Sequence, residues 1–358
     1  MCYHSAMDDL IKLASERLKN YKGKKIRIME VCGTHTHEIM RLGIRKLLSD
    51  DIDLISGPGC PVCVTEETFI EKAIRLSREK NCTILSFGDL LRVPGIRESL
   101  LDVRAQGAKV DTVYCAMDSV KYALDHPSED VVFLSIGFET TIPGNLMAVK
   151  KAKELGISNY SVLSAMKTMP GAYRLMADST DAFLYPGHVC AITGTKELQE
   201  LYQKGVSGVV SGFSPEELLS SILYCVDQLS KGKTFFKNLY PRVVTDEGSE
   251  EAKRLISEMT VEVDSKWRGI GVIKNSGLAL SDEFSSFDAE KKYDIPSFEE
   301  ERKSSCRCGE VLTGAIRPTE CPLFGKACTP EKPVGACMVS SEGACSAYYE
   351  YGGRDEYR

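Results

Sequence analysis

The chain alternates short apolar runs with amphipathic segments along most of its length, and this alternation constrains its fold more than any other feature. Residues 25–31 (KIRIMEV) read as a buried strand, followed by a helix predicted over 38–48. Residues 52–56 and 65–80 repeat the pair. Further strands are predicted at 83–87, 110–116, 131–136, 161–165, 182–185 and 206–210, most of them followed by helical segments. Strands separated by helical crossovers pair in parallel, because a parallel neighbour needs a connection long enough to return to the same end of the sheet. At 358 residues the chain exceeds what one hydrophobic core usually supports. The expected fold class is therefore α/β, with two Rossmann-like parallel-sheet domains over 1–118 and 119–245. A smaller, largely irregular domain follows over 246–358. Polar stretches at 231–249 and 281–305 bracket a predicted helix at 250–259 and the segment 267–278.

Charge and hydropathy narrow the function classes. The net charge is −6 with acids and bases interspersed, so no nucleic-acid partner is expected. The longest apolar stretches, such as 131–138, are far too short to span a bilayer, and residues 1–12 lack a secretory pattern. The expectation is a cytoplasmic protein with no membrane partner. In that compartment thiols stay reduced, so fourteen cysteines point to metal binding or redox chemistry rather than structural disulfides.

Six of those cysteines fall near the C-terminus, and four follow the spacing C-x14-C-x6-C-x16-C: Cys306, Cys321, Cys328 and Cys345. Structural zinc usually takes its ligands as close pairs, which these intervals do not provide, whereas isolated thiolates suit the corners of an iron–sulfur cubane. Spacing alone leaves both open. Cys308 and Cys337 remain as a candidate thiol pair beside the cluster.

The other chemistry-bearing motifs lie at predicted strand ends, where ligands bind in open α/β sheets. Cys32-Gly33-Thr34-His35-Thr36-His37 follows the first strand and offers a thiolate and two imidazoles to a borderline metal such as Fe(II) or Zn(II). The alternative is a packed cysteine, a Thr36 helix cap and locally bonded histidines. Gly57-Pro58-Gly59-Cys60-Pro61-Val62-Cys63 puts a C-x-x-C at a strand-to-helix turn, where the helix N-terminus favours thiolate. Cys60 and Cys63 thus form a candidate redox couple, with half a zinc site as the other reading. Glu139 in Gly137-Phe138-Glu139-Thr140-Thr141, ahead of Pro143, is a carboxylate beside a buried strand end, which needs a partner or a role; His188 in Pro186-Gly187-His188-Val189 is a minor candidate, since a lone histidine is more often structural. Cys82, Cys115, Cys190 and Cys225 are expected to be inert packing. Phosphate-loop, dinucleotide, zinc-protease and serine-hydrolase signatures are missing.

Taken together, CGTHTHE at 32–38, GPGCPVC at 57–63, GFETT at 137–141, PGHV at 186–189, WRGIG at 267–271 and SSEGACSAYYEY at 340–351 resemble the HypD family of hydrogenase maturation factors, over essentially the whole chain. The resemblance implies a scaffold with redox activity for assembling the Fe(CN)2CO unit of NiFe hydrogenase. Iron would be held at Cys32 together with the small chaperone HypC, and cyanide accepted from HypE, itself charged by HypF. It implies a 4Fe-4S cluster on Cys306, Cys321, Cys328 and Cys345, with Cys308 and Cys337 as the adjacent thiol pair and Cys60 and Cys63 as the pair nearer the iron. Cys32 and His35 would then act at the iron, a transient Fe(II) carrying CN and CO ligands. One departure is Ser214, where the family string suggests an acidic residue. The rival from a different class is a freestanding iron–sulfur thiol–disulfide reductase in which Cys32 is ordinary packing, and a zinc-stapled binding module is the third reading.

Overall fold

The structure, a computed structural model, describes residues 2–296, 298 and 304–352. Its strands are β1 (Ile26–Glu30), β2 (Ile52–Ser56), β3 (Thr83–Ser86), β4 (Val110–Thr112), β5 (Val131–Gly137), β6 (Tyr160–Lys167), β7 (Ala182–Pro186), β8 (Gly208–Ser211), β9 (Phe236–Asn238), β10 (Thr260–Trp267) and β11 (Gly271–Leu280). One sheet has the order β2-β1-β7-β8-β9 and is parallel throughout. The other, β10-β11-β6-β5-β3-β4, is parallel from β6 to β4, with an antiparallel β10–β11 hairpin added beside β6. The expected α/β class with two parallel-dominated sheets is what the chain forms.

Parallel strands covered on both faces bury alternate residues to opposite sides and so read as continuous apolar runs. In the first sheet Ile28, Leu54, Leu184 and Val209 pack with Leu18, Leu218 and Ile222. Met29, Ile55, Phe183 and Val210 point the other way, into a core shared with Val132, Leu134 and Ile136 of β5 and with tail residues Val311, Phe324 and Tyr348. Val131 and Phe133 cover the far face of the second sheet with Leu146, Val149 and Leu278. The sheets and the cysteine-rich segment thus share one core.

Several elements differ from expectation. Each sheet draws strands from both sides of residue 118, so the sheets interleave along the chain instead of dividing at that point, and a cut there would pass through the helix Ala116–Asp125. The helix after β1 starts at Gly33 with Cys32 as N-cap and breaks at Gly43, whose φ is +64°; Thr36 is therefore inside the helix and does not cap it. The fourth strand ends at Thr112, because Asp118 accepts the backbone N–H groups of Tyr114 and Cys115 and starts a helix there. Cys82, Cys190 and Cys225 are buried as expected, but Cys115 is exposed at that helix start. The polar stretch after residue 231 contains β9, and 267–278 is the turn and second arm of the hairpin. Ser214 caps Pro215–Leu229 through a reciprocal bond pair with Glu217, so the departure at this position keeps a helix start. No described helix is long and apolar enough to cross a membrane.

Leu184 is fully buried at the centre of the first sheet. Leu184→Ala is expected to destabilise the protein by about 2–5 kcal/mol in urea unfolding, through lost apolar burial and a residual cavity.

Candidate functional site

Strand order brings the chemistry-bearing loops together. β1 and β2 are neighbours in register from Ile26↔Ile52 to Glu30↔Ser56, so the loops after them lie side by side. Gly33 N–H donates to Gly59 O at 2.9 Å, and a Cβ at Gly59 would collide with the backbone of Cys32; only glycine lets the two loops approach this closely. Cys32 and Cys60 are each the N-cap of the helix that follows, in extended backbone conformation. Cys32 is 8% exposed. Burial pushes its thiol up to about 12 against the pull of the His35 and Thr34 backbone N–H groups, with Glu342 and Glu30 adding to the rise. It is therefore a protonated thiol near neutrality, and ligation requires its proton to leave.

The two histidines of this region flank one ring. His35 packs at a tilt against Phe213, ring centroids 4.5 Å apart, and His188 stacks on the same ring at 3.9 Å. The Nε2 of His35 lies 2.9 Å from the carbonyl oxygen of Gly212, which can only accept, so Nε2 carries the proton and Nδ1 is a buried acceptor without a hydrogen-bond partner. Burial holds His35 down to about 4, so it is neutral under ordinary conditions. His188 is also lowered by burial, with Glu342 acting in the opposite sense. His37 lies on the outer side of the same helix, its Nδ1 3.3 Å from Ser341 O and its ring edge-on to Tyr351.

Glu139 enters from the second sheet. Its Oε1 accepts the Met169 backbone N–H at 2.8 Å, while Oε2 is buried without a partner. Burial raises its carboxyl to about 7. Glu139 and Cys32 both neighbour Cys190 and Tyr173 electrostatically, which joins these strand ends into one region.

The tail supplies the remaining thiols. Cys306, Cys308, Cys321, Cys328, Cys337 and Cys345 line one cavity with Val311, Phe324 and Met338. An all-thiol donor set in an apolar shell suits an iron–sulfur centre, and the Val334 N–H, 3.3 Å from Cys328 Sγ, is the kind of donor that tunes one. Among the described residues no three His, Cys, Asp or Glu groups converge as a single-ion site would require; the sulfurs surround a space, not a point. The free thiol of Cys337 lies beside those of Cys345 and Cys63, and Cys63 in turn beside Cys60. Those two neighbours hold the Cys337 thiol well below the ordinary value, whereas Cys63 and Cys345 are raised. Cys308 lies beside Cys306, and both adjoin Gly335, two residues before Cys337.

Three residues at this site are absent from the sequence-based candidates. Glu30 is fully buried, with Thr36 Oγ1 donating to it at 2.7 Å, and burial raises it to about 7. Its signal was available: a carboxylate inside the apolar run 25–31. Glu342 accepts from Thr34 Oγ1 at 2.8 Å and seats the tail over the Cys32 loop. Arg268, 2% exposed, donates to Thr65 O, Glu67 and Pro94 O, and its N–H bonds Val64 O, pinning the C-x-x-C helix to the hairpin.

Comparison with known proteins adds an independent line. Residues 7–352 match the family model described as "HypD: Hydrogenase formation hypA family". The chain is 40% identical over 342 residues to the hydrogenase maturation factor HypD of Rhodobacter capsulatus, covering 92% of this chain and 90% of that protein. It is 38% identical over 352 residues to HypD of Cupriavidus necator, with 95% and 93% covered. To HypD of Escherichia coli it is 39% identical over 336 residues, with 92% and 90% covered.

The folded value of Glu139 lies above that of a free carboxyl, so folding favours its protonated form. That contribution is complete below about pH 4.5 and is lost as pH rises through about 7. Between about pH 4.5 and 8 the native chain is therefore expected to lose on the order of 3 kcal/mol relative to Glu139→Gln in urea unfolding. Parallel pH profiles for the two proteins would contradict this.

Proposed function

Because the chain belongs to the HypD family and is a hydrogenase maturation factor, we propose that it is the scaffold on which the Fe(CN)2CO unit of NiFe hydrogenase is assembled. The iron is cargo, held at Cys32 jointly with HypC, while HypE delivers cyanide. The observation that carries this reading is the line of sulfur contacts from Cys345 through Cys337 to Cys63 and Cys60, ending in the loop packed against Cys32.

Cys32 is a soft anchor for low-valent iron, and the Thr34 and His35 N–H groups at the start of its helix stabilise the thiolate once the proton has gone. His35, neutral and bonded to Gly212 O, orients the loop. Glu139 and His188 exchange protons as cyanide is transferred, an assignment supported by a carboxyl raised to about 7 with one free oxygen.

Cys306, Cys321, Cys328 and Cys345 would hold a 4Fe-4S cluster, which supplies single electrons when bound. The thiol pairs handle electrons two at a time. In the direction that reduces the C-x-x-C pair, the Cys337 thiolate attacks Cys63 of a Cys60–Cys63 disulfide and Cys60 leaves as thiolate. Cys308 then attacks Cys337, releasing Cys63 and leaving a Cys308–Cys337 disulfide. Two electrons pass from one pair to the other.

Cys32→Ala tests the scaffold against a freestanding reductase. In anaerobically purified protein with HypC, the variant is expected to lose the iron in excess of its acid-labile sulfide, keep the sulfide and C-x-x-C thiol exchange, and fail to mature hydrogenase. Full iron content with normal maturation would leave only the reductase.

A further inference from the structure

The six tail cysteines are not equally placed toward solvent. Cys321, Cys328, Cys337 and Cys345 are buried, while Cys306 and Cys308 are partly exposed. Those two also line a second and larger cavity of about 470 Å³, walled by Glu66, Thr68, Lys266, Ile270 and Arg307. The two cavities share Cys306, Cys308 and Gly335. At the shared wall a Cβ on Gly335 would collide with Cys306 Sγ, so glycine there lets the backbone lie directly against that sulfur. The charges around the outer cavity largely compensate, Arg307 with Glu310 and Arg268 with Glu67. Its volume falls in the range of sites that admit a prosthetic-group edge.

We propose that this outer cavity is the port at which an external one-electron carrier reaches the tail centre, with the partly exposed Cys306 and Cys308 as the entry edge and the buried Cys337 as the exit toward Cys63. The inference rests on the iron–sulfur reading above and gives it a direction. Each encounter oxidises the carrier by one electron; two encounters, with two protons from solvent, convert one disulfide of the chain into two thiols. Compensated walls fit a carrier that docks by shape more than by charge.

The test places a bulky side chain in the port without touching a cysteine. Holoprotein is reduced anaerobically by methyl viologen radical cation, and bleaching of its violet absorption is followed by stopped flow. Thr68→Trp is expected to slow bleaching by about ten-fold or more, and Thr68→Ala to leave it within about two-fold, at equal acid-labile sulfide. Wild-type rates in Thr68→Trp with full sulfide would overturn the port. Wild-type protein devoid of acid-labile sulfide would instead overturn the cluster reading beneath it. Should Thr68→Trp not fold, alkylation of the unsubstituted, cluster-free chain decides: Cys306 and Cys308 are expected to react with iodoacetamide about ten-fold faster than Cys321, Cys328 and Cys345, and uniform labelling would refute the proposal.

Discussion

Parallel strands all end on the same side of their sheet, and this directional constraint governs everything else in the molecule. Cys32 follows β1, the C-x-x-C follows β2, His188 follows β7 and Phe213 follows β8, so one sheet delivers all of these groups to a single edge. Glu139 and Met169 arrive from the carboxyl ends of β5 and β6 in the other sheet. The shared core of Met29, Phe183, Leu134 and Ile136 holds the two sheets together, and Arg268 ties the hairpin to the C-x-x-C turn. A slip of one residue in β1 or β2 would turn a cysteine-bearing loop into the core.

Burial then decides the protonation states. Away from bulk solvent, Cys32 keeps its proton, His35 stays neutral and Glu139 and Glu30 titrate near neutrality. Such a region favours neutral groups. The hydrogen-bond acceptors and donors of Thr36, Gly212 and Met169 keep these groups in fixed orientations.

Much of this was legible in the residues. The apolar runs located nearly every parallel strand, because a strand buried on both faces has a compositional signature in a short window. The C-x-x-C turn and the tail spacing were visible because thiol chemistry depends on residue identity. The β10–β11 hairpin was not, since Val261, Glu262, Val263 and Asp264 are all exposed and carry no one-sided pattern. Glu30 escaped because it sits in a run otherwise typical of a core strand, and Glu342 because its partner Thr34 lies 308 residues away.

Residue pattern by itself determined the α/β class, the strand-end position of the candidate groups and the concentration of cysteines in the tail, since periodicity and residue identity are local properties. Only the tertiary structure decided that the sheets interleave along the chain, that Cys337 meets Cys63 rather than packing alone, and which sulfurs face solvent. Cys63 touches Ala336 across 273 residues of chain. A contact of that kind reflects burial summed over the whole core, where many weak pairings compete, and no window of sequence contains that sum.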